Sequence, residues 1–400
     1  MVFGGLIRLF NLVKSLFFLF FYNLRFVDEN WKSQKLGKLC KITMGQSPSS
    51  INYSENPNDT ILIQGNADLI DGKVVPRVYT SEITKTSKPG DIILTVRAPV
   101  GDLAINDFNS CIGRGVCSIE GNKFIYYFLQ SLKDKHMWER LSQGSTFESI
   151  NSNDIKNLNV KIPSRATQSN ISNFFDEIDK KIGLLSQKYK CYQDFKRYLM
   201  QQIFTQKLRF DFNDEWKKIP FKKLLNEVNE KTTVNNQHEI LSSTKEGIFT
   251  QKEYFADRNV ASKDNTGYKI LRKNQIVLSP QNLWMGNINV NTDFDIGIVS
   301  PSYKIYETTD LVDINYFKHI IKLPRLIYEY KCASEQGASI VRRNLNKQLF
   351  EEITVNIPSL EEQNHIGNLF NIHDKKIKQI SNQIEDTKEF KKGLLQQMFV

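Results

Sequence analysis

Apolar residues recur at alternating spacings of four and three along two segments of the chain. The first series consists of Ile171, Phe175, Ile178, Ile182, Leu185, Tyr189 and Tyr192. The second consists of Ile366, Phe370, His373, Ile377, Ile380, Ile384 and Thr387, where a histidine and a threonine take two of the positions. A period of 3.5 residues predicts helices that present a narrow seam to a partner helix. Both series then take an extra three-residue step, to Phe195 and Phe390, which predicts local overwinding of a coiled coil.

The two series belong to a duplicated segment. Adding 195 to the residue numbers aligns Val160–Phe204 with Val355–Phe399 without a gap, and both copies contain the run Asp-Lys-Lys-Ile. An internal duplication makes each helix the natural partner of the other, related by an approximate two-fold axis, so the segments 166–204 and 361–399 are predicted to pack antiparallel. The residues predicted to pair the helices are Ile171, Phe175, Ile178, Ile182, Leu185, Ile366, Phe370, Ile377, Ile380 and Ile384.

Short strands with Asn, Gly and Pro turns dominate the segments between the helices, together with a few shorter helices. The segment 88–105 parallels 272–290: each has a β-branched strand, a variable polar turn, a glycine and a second strand. This pattern predicts an α+β fold with two pseudo-repeated globular domains separated by two long helices that pair as an antiparallel coiled coil. The predicted boundaries are 1–22 (hydrophobic extension), 23–162 (first domain), 163–206 (central helix), 207–357 (second domain) and 358–400 (C-terminal helix).

The N-terminal extension has an apolar run, 16–22, that is far shorter than the roughly 20 residues a membrane-spanning helix requires. We interpret it as a dispensable extension, with a membrane-associated helix as the alternative. The five cysteines lack metal-ligand spacing, and reduced thiols in a cytoplasmic protein are expected. The formal net charge of +10 favours a polyanionic partner, either nucleic acid or an anionic membrane surface.

The chain contains no GxxxxGK[ST] phosphate-binding loop, no Asn/Asp-Pro-Pro-aromatic run of an amino-methyltransferase and no glycine-rich cofactor loop. Its five histidines are scattered, without metal-ligand spacing. We therefore expect a non-catalytic chain with no catalytic, cofactor-binding or metal-binding residues.

The sequence resembles the specificity subunits of type I restriction-modification systems. The resemblance rests on the following segments: the domain openings "LRFVDENWK" and "LRFDFNDEWKK", the segments "GQSPSSINY", "ILIQGNADLIDGK" and "GDIILTVRAPVG", the "QGST" and "QGAS" segments, "IPS", and the helices ending "QQIF" and "QQMF". The resemblance covers about residues 23–400. It implies that each domain is a target-recognition domain for one half of a bipartite double-stranded DNA sequence, and that the two helices separate the domains and dock the methyltransferase subunits.

The resemblance also implies partners. They are type I modification (methyltransferase) subunits, two in number, and restriction (endonuclease/translocase) subunits. Adenine-specific DNA methylation and ATP-dependent cleavage would then belong to those subunits, along with their S-adenosylmethionine, ATP and Mg.

Polar side chains on the variable turns are the candidates for DNA contacts, because base edges and phosphates are read by such groups. In the first domain they are Gln46, Ser47, Gln64, Asn66, Arg97, Arg114 and Thr146. In the second domain they are Ser242, Ser243, Thr244, Gln281, Asn282, Trp284, Arg342, Arg343 and Asn344. Two other functions stay open at this point: a coiled-coil scaffold joining two protein-binding domains, and an enzyme whose site is not recognisable.

Overall fold

The computed structural model describes residues 31–142, 149–255, 264–336 and 343–399. The chain divides into two compact units. Unit 1 comprises the residues up to Gln187 together with those from Ser381 onward, and unit 2 comprises Lys188–Ile380. Each unit contains one globular domain and a part of both long helices. The predicted α+β class is confirmed. The extension at 1–22 lies outside the described residues.

The first domain is mostly strand. Its strands are β1 (Lys32–Lys35), β2 (Lys41–Met44), β3 (Tyr53–Ser54), β4 (Thr60–Ile63), β5 (Leu69–Ile70), β6 (Lys73–Val74), β7 (Tyr79–Thr80), β8 (Thr86–Ser87), β9 (Ile92–Thr95), β10 (Leu103–Ile105), β11 (Ser110–Ile112), β12 (Val116–Glu120) and β13 (Asn159–Ile162). Its helices are Leu36–Leu39, Lys123–Asp134, Met137–Ser142 and Ser152–Lys156, with 3-10 turns at Ser50–Asn52 and Asn66–Asp68. The strands form sheets in the orders β2-β12-β9-β10-β6-β5, β3-β7-β4-β11-β8 and β1-β13.

The second domain has the same character. Its strands are β14 (Lys217–Pro220), β15 (Leu225–Val228), β16 (Leu241–Ser243), β17 (Ile248–Thr250), β18 (Lys269–Arg272), β19 (Ile276–Leu278), β20 (Ile288–Val290), β21 (Ile296–Val299), β22 (Lys304–Thr308), β23 (Ser334–Gln336), β24 (Arg343–Leu345) and β25 (Thr354–Ile357). Its helices are Phe221–Leu224, Gln251–Phe255, Ile314–Ile320, Pro324–Cys332 and Lys347–Glu352, with a 3-10 turn at Leu283–Met285. The sheet orders are β15-β22-β19-β20, β14-β25, β16-β17, β18-β21 and β23-β24.

A common antiparallel core underlies both domains. The order β2-β12-β9-β10 in the first matches β15-β22-β19-β20 in the second, and every neighbouring pair in these four strands is antiparallel. The hairpins β9-β10 and β19-β20 are the two strand-turn-strand segments that the sequence aligns. The glycines in their turns, Gly101 and Gly286, both have left-handed backbone angles (φ 96° and 88°), a conformation that side-chain-bearing residues avoid.

The ends of each domain pair with each other. Strand β1 pairs antiparallel with β13 (Lys32 opposite Ile162), and β14 pairs with β25 (Lys217 opposite Ile357). A proline then ends the strand, and a serine caps the long helix that follows. Ser164 Oγ accepts from Thr167 N at 3.2 Å, and Ser359 Oγ accepts from Glu362 N at 3.4 Å. The recurring "IPS" is therefore a strand stop joined to a helix N-cap.

The opening motif of the second domain holds the start of the C-terminal helix. Glu362 is fully buried. The Arg209 guanidinium donates to both of its carboxylate oxygens, at 3.1 and 2.7 Å, and Trp216 Nε1 donates to one of them at 3.1 Å. The buried charge is thus paired and hydrogen-bonded, as burial of an ion requires.

The central helix (Arg165–Phe204) and the C-terminal helix (Leu360–Met398) each contribute a part to both units, and within each unit these parts pack antiparallel. Within unit 1, Ile171 and Phe175 share a core with Leu394 and Leu395, so the start of the central helix lies against the end of the C-terminal helix. Within unit 2, the end of the central helix lies against the start of the C-terminal helix. There Leu199, Ile203, Ile366 and Phe370 share a core, and the rings of Phe204 and Phe370 stack with centroids 5.8 Å apart. The predicted antiparallel pairing is present in each unit.

The predicted seam residues differ in their burial. Ile171, Phe175, Ile366, Phe370, Ile380 and Ile384 are buried, whereas Ile178, Ile182, Leu185 and Ile377 are half-buried. Ile178 packs against the core of unit 1.

The predicted three-residue step after Tyr192 is wrong. Phe195 is 50% exposed and Phe390 is 36% exposed. The residues that face inward are Lys196 and Lys391, with 20% and 8% of their side chains exposed. The spacing of four and three therefore continues without interruption, with a lysine on the seam in each copy. Sequence reasoning chose the neighbouring phenylalanines because a hydrophobic pattern assigns lysine to the solvent face.

Each seam lysine pairs with the aspartate of the repeated Asp-Lys-Lys-Ile run in the other helix. Lys391 Nζ donates to both carboxylate oxygens of Asp179, at 2.5 and 2.7 Å. Lys196 Nζ donates to one carboxylate oxygen of Asp374, Oδ1. The two ion pairs are related by the repeat, and each lies within one unit. They fix the register of the two helices, because a shift by one turn would leave a lysine without its carboxylate.

Candidate nucleic-acid interface

Separate loops of the first domain meet beside strand β9. Arg114 N donates to Ser47 Oγ at 3.1 Å, and Val96 N donates to Gly115 O at 2.9 Å. A Cβ at Gly115 would lie 2.1 Å from the carbonyl oxygen of Gln64, so this close approach of two loops requires glycine. These contacts bring together the predicted residues Gln46, Ser47, Gln64, Asn66, Arg97 and Arg114.

The side chains of this loop group are directed largely to solvent. Gln46, Asn66, Arg97 and Arg114 are exposed, and Ser47 and Gln64 are half-buried. The group contains two arginines and no acidic residue among its predicted members. It offers positive charge for phosphates and amide groups for base edges. The predicted Thr146 lies outside the described residues.

The second domain builds its loop group on a tryptophan. The guanidinium carbon of Arg343 lies 4.9 Å from the centroid of the Trp284 ring, within cation–π range. Arg343 N donates to Gln281 O at 3.2 Å, which ties strand β24 to the turn after β19. The predicted residues brought together here are Gln281, Asn282, Trp284, Arg343 and Asn344. The predicted Arg342 lies outside the described residues.

Exposure differs among the residues of this second group. Gln281 and Asn344 are exposed, and Asn282, Trp284 and Arg343 are half-buried. Ser242, also half-buried, lies on strand β16.

Two predicted residues lie inside the domain instead. Ser243 and Thr244 are 3% and 7% exposed. Ser243 Oγ donates to Asn287 Oδ1 at 2.8 Å, and Asn289 Nδ2 donates to Ser243 Oγ and to Thr244 O, both at 2.8 Å. These groups hold the turn that follows β16, and we leave both residues out of the exposed surface.

Lys322 completes this buried network. Its Nζ donates to Asn289 Oδ1 at 2.7 Å and to Lys245 O at 2.9 Å, and burial lowers its pKa. Sequence reasoning missed these positioning residues. The alternation Asn287-Ile-Asn289-Val-Asn291 was the available signal, since side chains two apart on a strand share one face.

Within the ranges that the structure describes, no group of three or more His, Cys, Asp or Glu side chains is arranged to hold a metal ion. In those same ranges, no helix is both long and apolar enough to cross a membrane.

Residues 28–190 match the family model of the type I restriction modification DNA specificity domain. The match includes the first domain, its loop group and the first part of the central helix, and it confirms the resemblance seen in the sequence.

Known type I specificity subunits are similar to this chain over different extents. A putative type I restriction enzyme MjaX specificity subunit of Methanocaldococcus jannaschii is 33% identical over 193 residues. The match covers 46% of this chain and 44% of that protein, so it spans less than half of the relative's length.

Two solved structures share the fold of almost the whole chain. The S subunit of the type I restriction-modification system of M. genitalium has a TM-score of 0.59 at 17% identity, covering 94% of this chain and 97% of that one. A chain from a structural study of assembly and conformational transition of the type I R-M system has a TM-score of 0.55 at 15% identity, covering 92% and 97%. At these identities the likeness concerns the fold, which has the two domains described above.

Proposed function

We propose that this chain is the sequence-specific DNA-recognition subunit of a type I restriction-modification complex, and that each globular domain reads one half of a bipartite double-stranded target. The observation that carries the proposal is the specificity-domain match over residues 28–190. It is supported by the two loop groups, which present arginine and amide side chains beside equivalent hairpins of the two domains. The net charge of +10 also favours a polyanionic partner such as DNA.

The proposal assigns no catalytic step to this chain. Two methyltransferase subunits would dock on the paired helices, and restriction subunits would join them. S-adenosylmethionine, ATP and Mg would be bound by those partners. The cell compartment that fits this role is the cytoplasm.

The test is a binding measurement on the purified full chain with a pool of duplexes that carry two randomised segments. We expect retention of a discontinuous sequence, and an affinity that falls linearly on a logarithmic scale with salt concentration. A chain that binds other proteins but shows no salt-dependent affinity for DNA would favour a scaffold. Exchange of residues 23–160 for the corresponding domain of a relative should change one half-site only. A change in both would contradict independent reading.

We further propose that the paired helices set the gap between the half-sites. Half-sites one DNA turn apart are separated by roughly 34–36 Å, and four inserted residues lengthen a helix by roughly 6 Å. Insertions after Gln187 and Gln383, which are both exposed, should widen the preferred gap by one or two base pairs and leave the half-sites unchanged. A folded variant that keeps its original gap would overturn this role.

A further inference from the structure

In each domain an arginine lies where the chain after an equivalent strand, β9 or β19, pairs with a later segment, and the two arginines are on opposite sides of that pairing. In the first domain, Arg97 follows β9 and forms an isolated antiparallel bridge with Ser149. In the second, Gln281 follows β19, and its carbonyl accepts from Arg343 N at 3.2 Å. The alignment of the two hairpins makes Arg97 equivalent to Gln281. The offset of 195 that aligns the helix N-caps Asn151 and Asn346 makes Ser149 equivalent to Asn344, so the two pairings differ by one residue.

The guanidinium group of Arg343 has different neighbours from those of Arg209 and Arg272 in the same domain. The guanidinium groups of Arg209 and Arg272 are each paired with a glutamate, Glu362 and Glu230. That of Arg343 lies over the ring of Trp284, and its Nε is buried without a hydrogen-bond partner. Stacking fixes the plane of a guanidinium and leaves its N–H groups to donate in that plane. A buried N–H without an acceptor is unfavourable, so a ligand that supplies an acceptor is favoured.

From these contacts we infer that Arg97 and Arg343 each read a guanine, one in each half-site, and that Trp284 is a positioning residue for Arg343. The inference rests on the proposed function. Guanine presents two acceptors, O6 and N7, side by side in the major groove, and the planar fork of arginine matches them with two parallel hydrogen bonds. Because each arginine lies beside an equivalent strand of its own domain, the two guanines belong to different half-sites.

The test selects duplexes from a pool with two randomised segments, using the purified full chain and its variants. The variants are R343A, R343K, R97A, W284A and W284F. The matched control is R197A, which removes one positive charge from an exposed arginine of the central helix that pairs with Asp194.

We expect the wild type to select one guanine in each half-site. R343A and R343K should each lower the preference for one of these guanines by about 5- to 150-fold, the discrimination that a bidentate arginine contact provides. Lysine keeps the charge but lacks the fork, so R343K separates base reading from charge. R97A should act on the guanine of the other half-site. W284A should weaken the same guanine preference as R343A, and W284F, which retains an aromatic face, should restore much of it.

The outcomes separate the inference from the proposed function. If R343A weakens all sequences equally and R343K restores affinity without a change in base preference, Arg343 contacts a phosphate and the inference is wrong, although DNA recognition stands. The inference is also wrong if the wild type selects half-sites without guanine. If the wild-type chain shows no sequence preference at all, the proposed function fails, and the inference fails with it.

Discussion

The two seam ion pairs are built from the same residues of the repeat, but their surroundings differ. Within unit 1, Tyr127 OH donates to Asp179 Oδ2 at 3.0 Å, and Lys391 lies 5.0 Å from the Tyr127 ring centroid. Within unit 2, the group near Asp374 is His319, whose Nδ1 lies 3.8 Å from the carboxylate. The duplicated helices supply the ion pair, and the helix of each divergent domain decides what surrounds it.

This difference has an electrostatic consequence. Burial lowers the pKa of Lys391, opposed by the charge of Asp179. Burial also lowers the pKa of His319 to about 4, with the charge of Lys196 acting in the same direction and that of Asp374 against it. Unit 1 therefore holds its deeply buried lysine against a carboxylate and a phenol. Unit 2 holds a neutral histidine beside a more exposed ion pair. A duplicated ion pair has therefore acquired different pH sensitivity in the two units.

The largest loss of stability should come from truncating the phenylalanines that are equivalent in the two units. Phe175 and Phe370 are both fully buried, and truncation to alanine should cost about 3–5 kcal/mol in each unit. Hydrogen exchange measured on peptides from both units would report the loss where it occurs. Ile372, which is 66% exposed, provides the control, and I372A should have little effect. A much smaller loss in one unit would show that the helices contribute unequally to the two cores.

Removing the carboxylate of each ion pair should destabilise the two units by different amounts. D179N removes the carboxylate that pairs with the buried Lys391 and should cost about 3–5 kcal/mol in unit 1. D374N should cost less, because Lys196 is more accessible to water. Urea unfolding followed by hydrogen exchange would measure both, with D194N on the helix surface as the control. A charge exchange, D179K with K391D, should recover part of the loss. Equal losses from D179N and D374N would contradict the difference described above.

Unit 2 should be the more sensitive to mild acid. The unfolded chain protonates His319 near pH 6.5, whereas the folded chain does so only near pH 4. The unfolded state therefore binds more protons between these values, and stability falls as the pH is lowered from about 6.5 to 4, by up to about 3 kcal/mol. The groups that face the ring are Lys196, Asp374, Lys318 and Asn371.

The check is the difference in hydrogen exchange between pH 7 and pH 5. It should be larger for peptides of unit 2, and H319Q should abolish the excess. An unchanged excess in H319Q would assign the acid sensitivity to other groups.

The smallest loss of stability should come from removing the serine N-caps of the two long helices. S164A and S359A should each cost about 1 kcal/mol, a typical value for loss of a capping hydroxyl. The shorter contact at Ser164, 3.2 Å against 3.4 Å at Ser359, predicts that S164A is at least as costly as S359A. Fraying of the first helical turns, measured by exchange of their amide protons, would rank the two.

Sequence patterns were most informative where the chain repeats itself. The repeat predicted two long helices, their antiparallel pairing and the strand-turn-strand hairpins, because each feature depends on local spacing that recurs at a fixed offset. Most of the candidate residues lie in turns that follow framework strands in both domains, and their contact with DNA stays a prediction. Ser243 and Thr244 were misplaced on the surface because pattern alone does not reveal whether a polar residue on a strand has a buried partner.

What the sequence determined by itself is the α+β class, the duplicated seam and the candidate loops, all of which follow from periodicity and turn chemistry. Only the tertiary structure decided that Lys196 and Lys391, and not the adjacent phenylalanines, continue the seam. A lysine becomes an interior residue when an aspartate from another helix meets it, and that aspartate is 178 or 212 positions away in the chain. The same holds for Arg343 over Trp284: the stacking depends on a contact between distant segments, which spacing along the sequence does not encode.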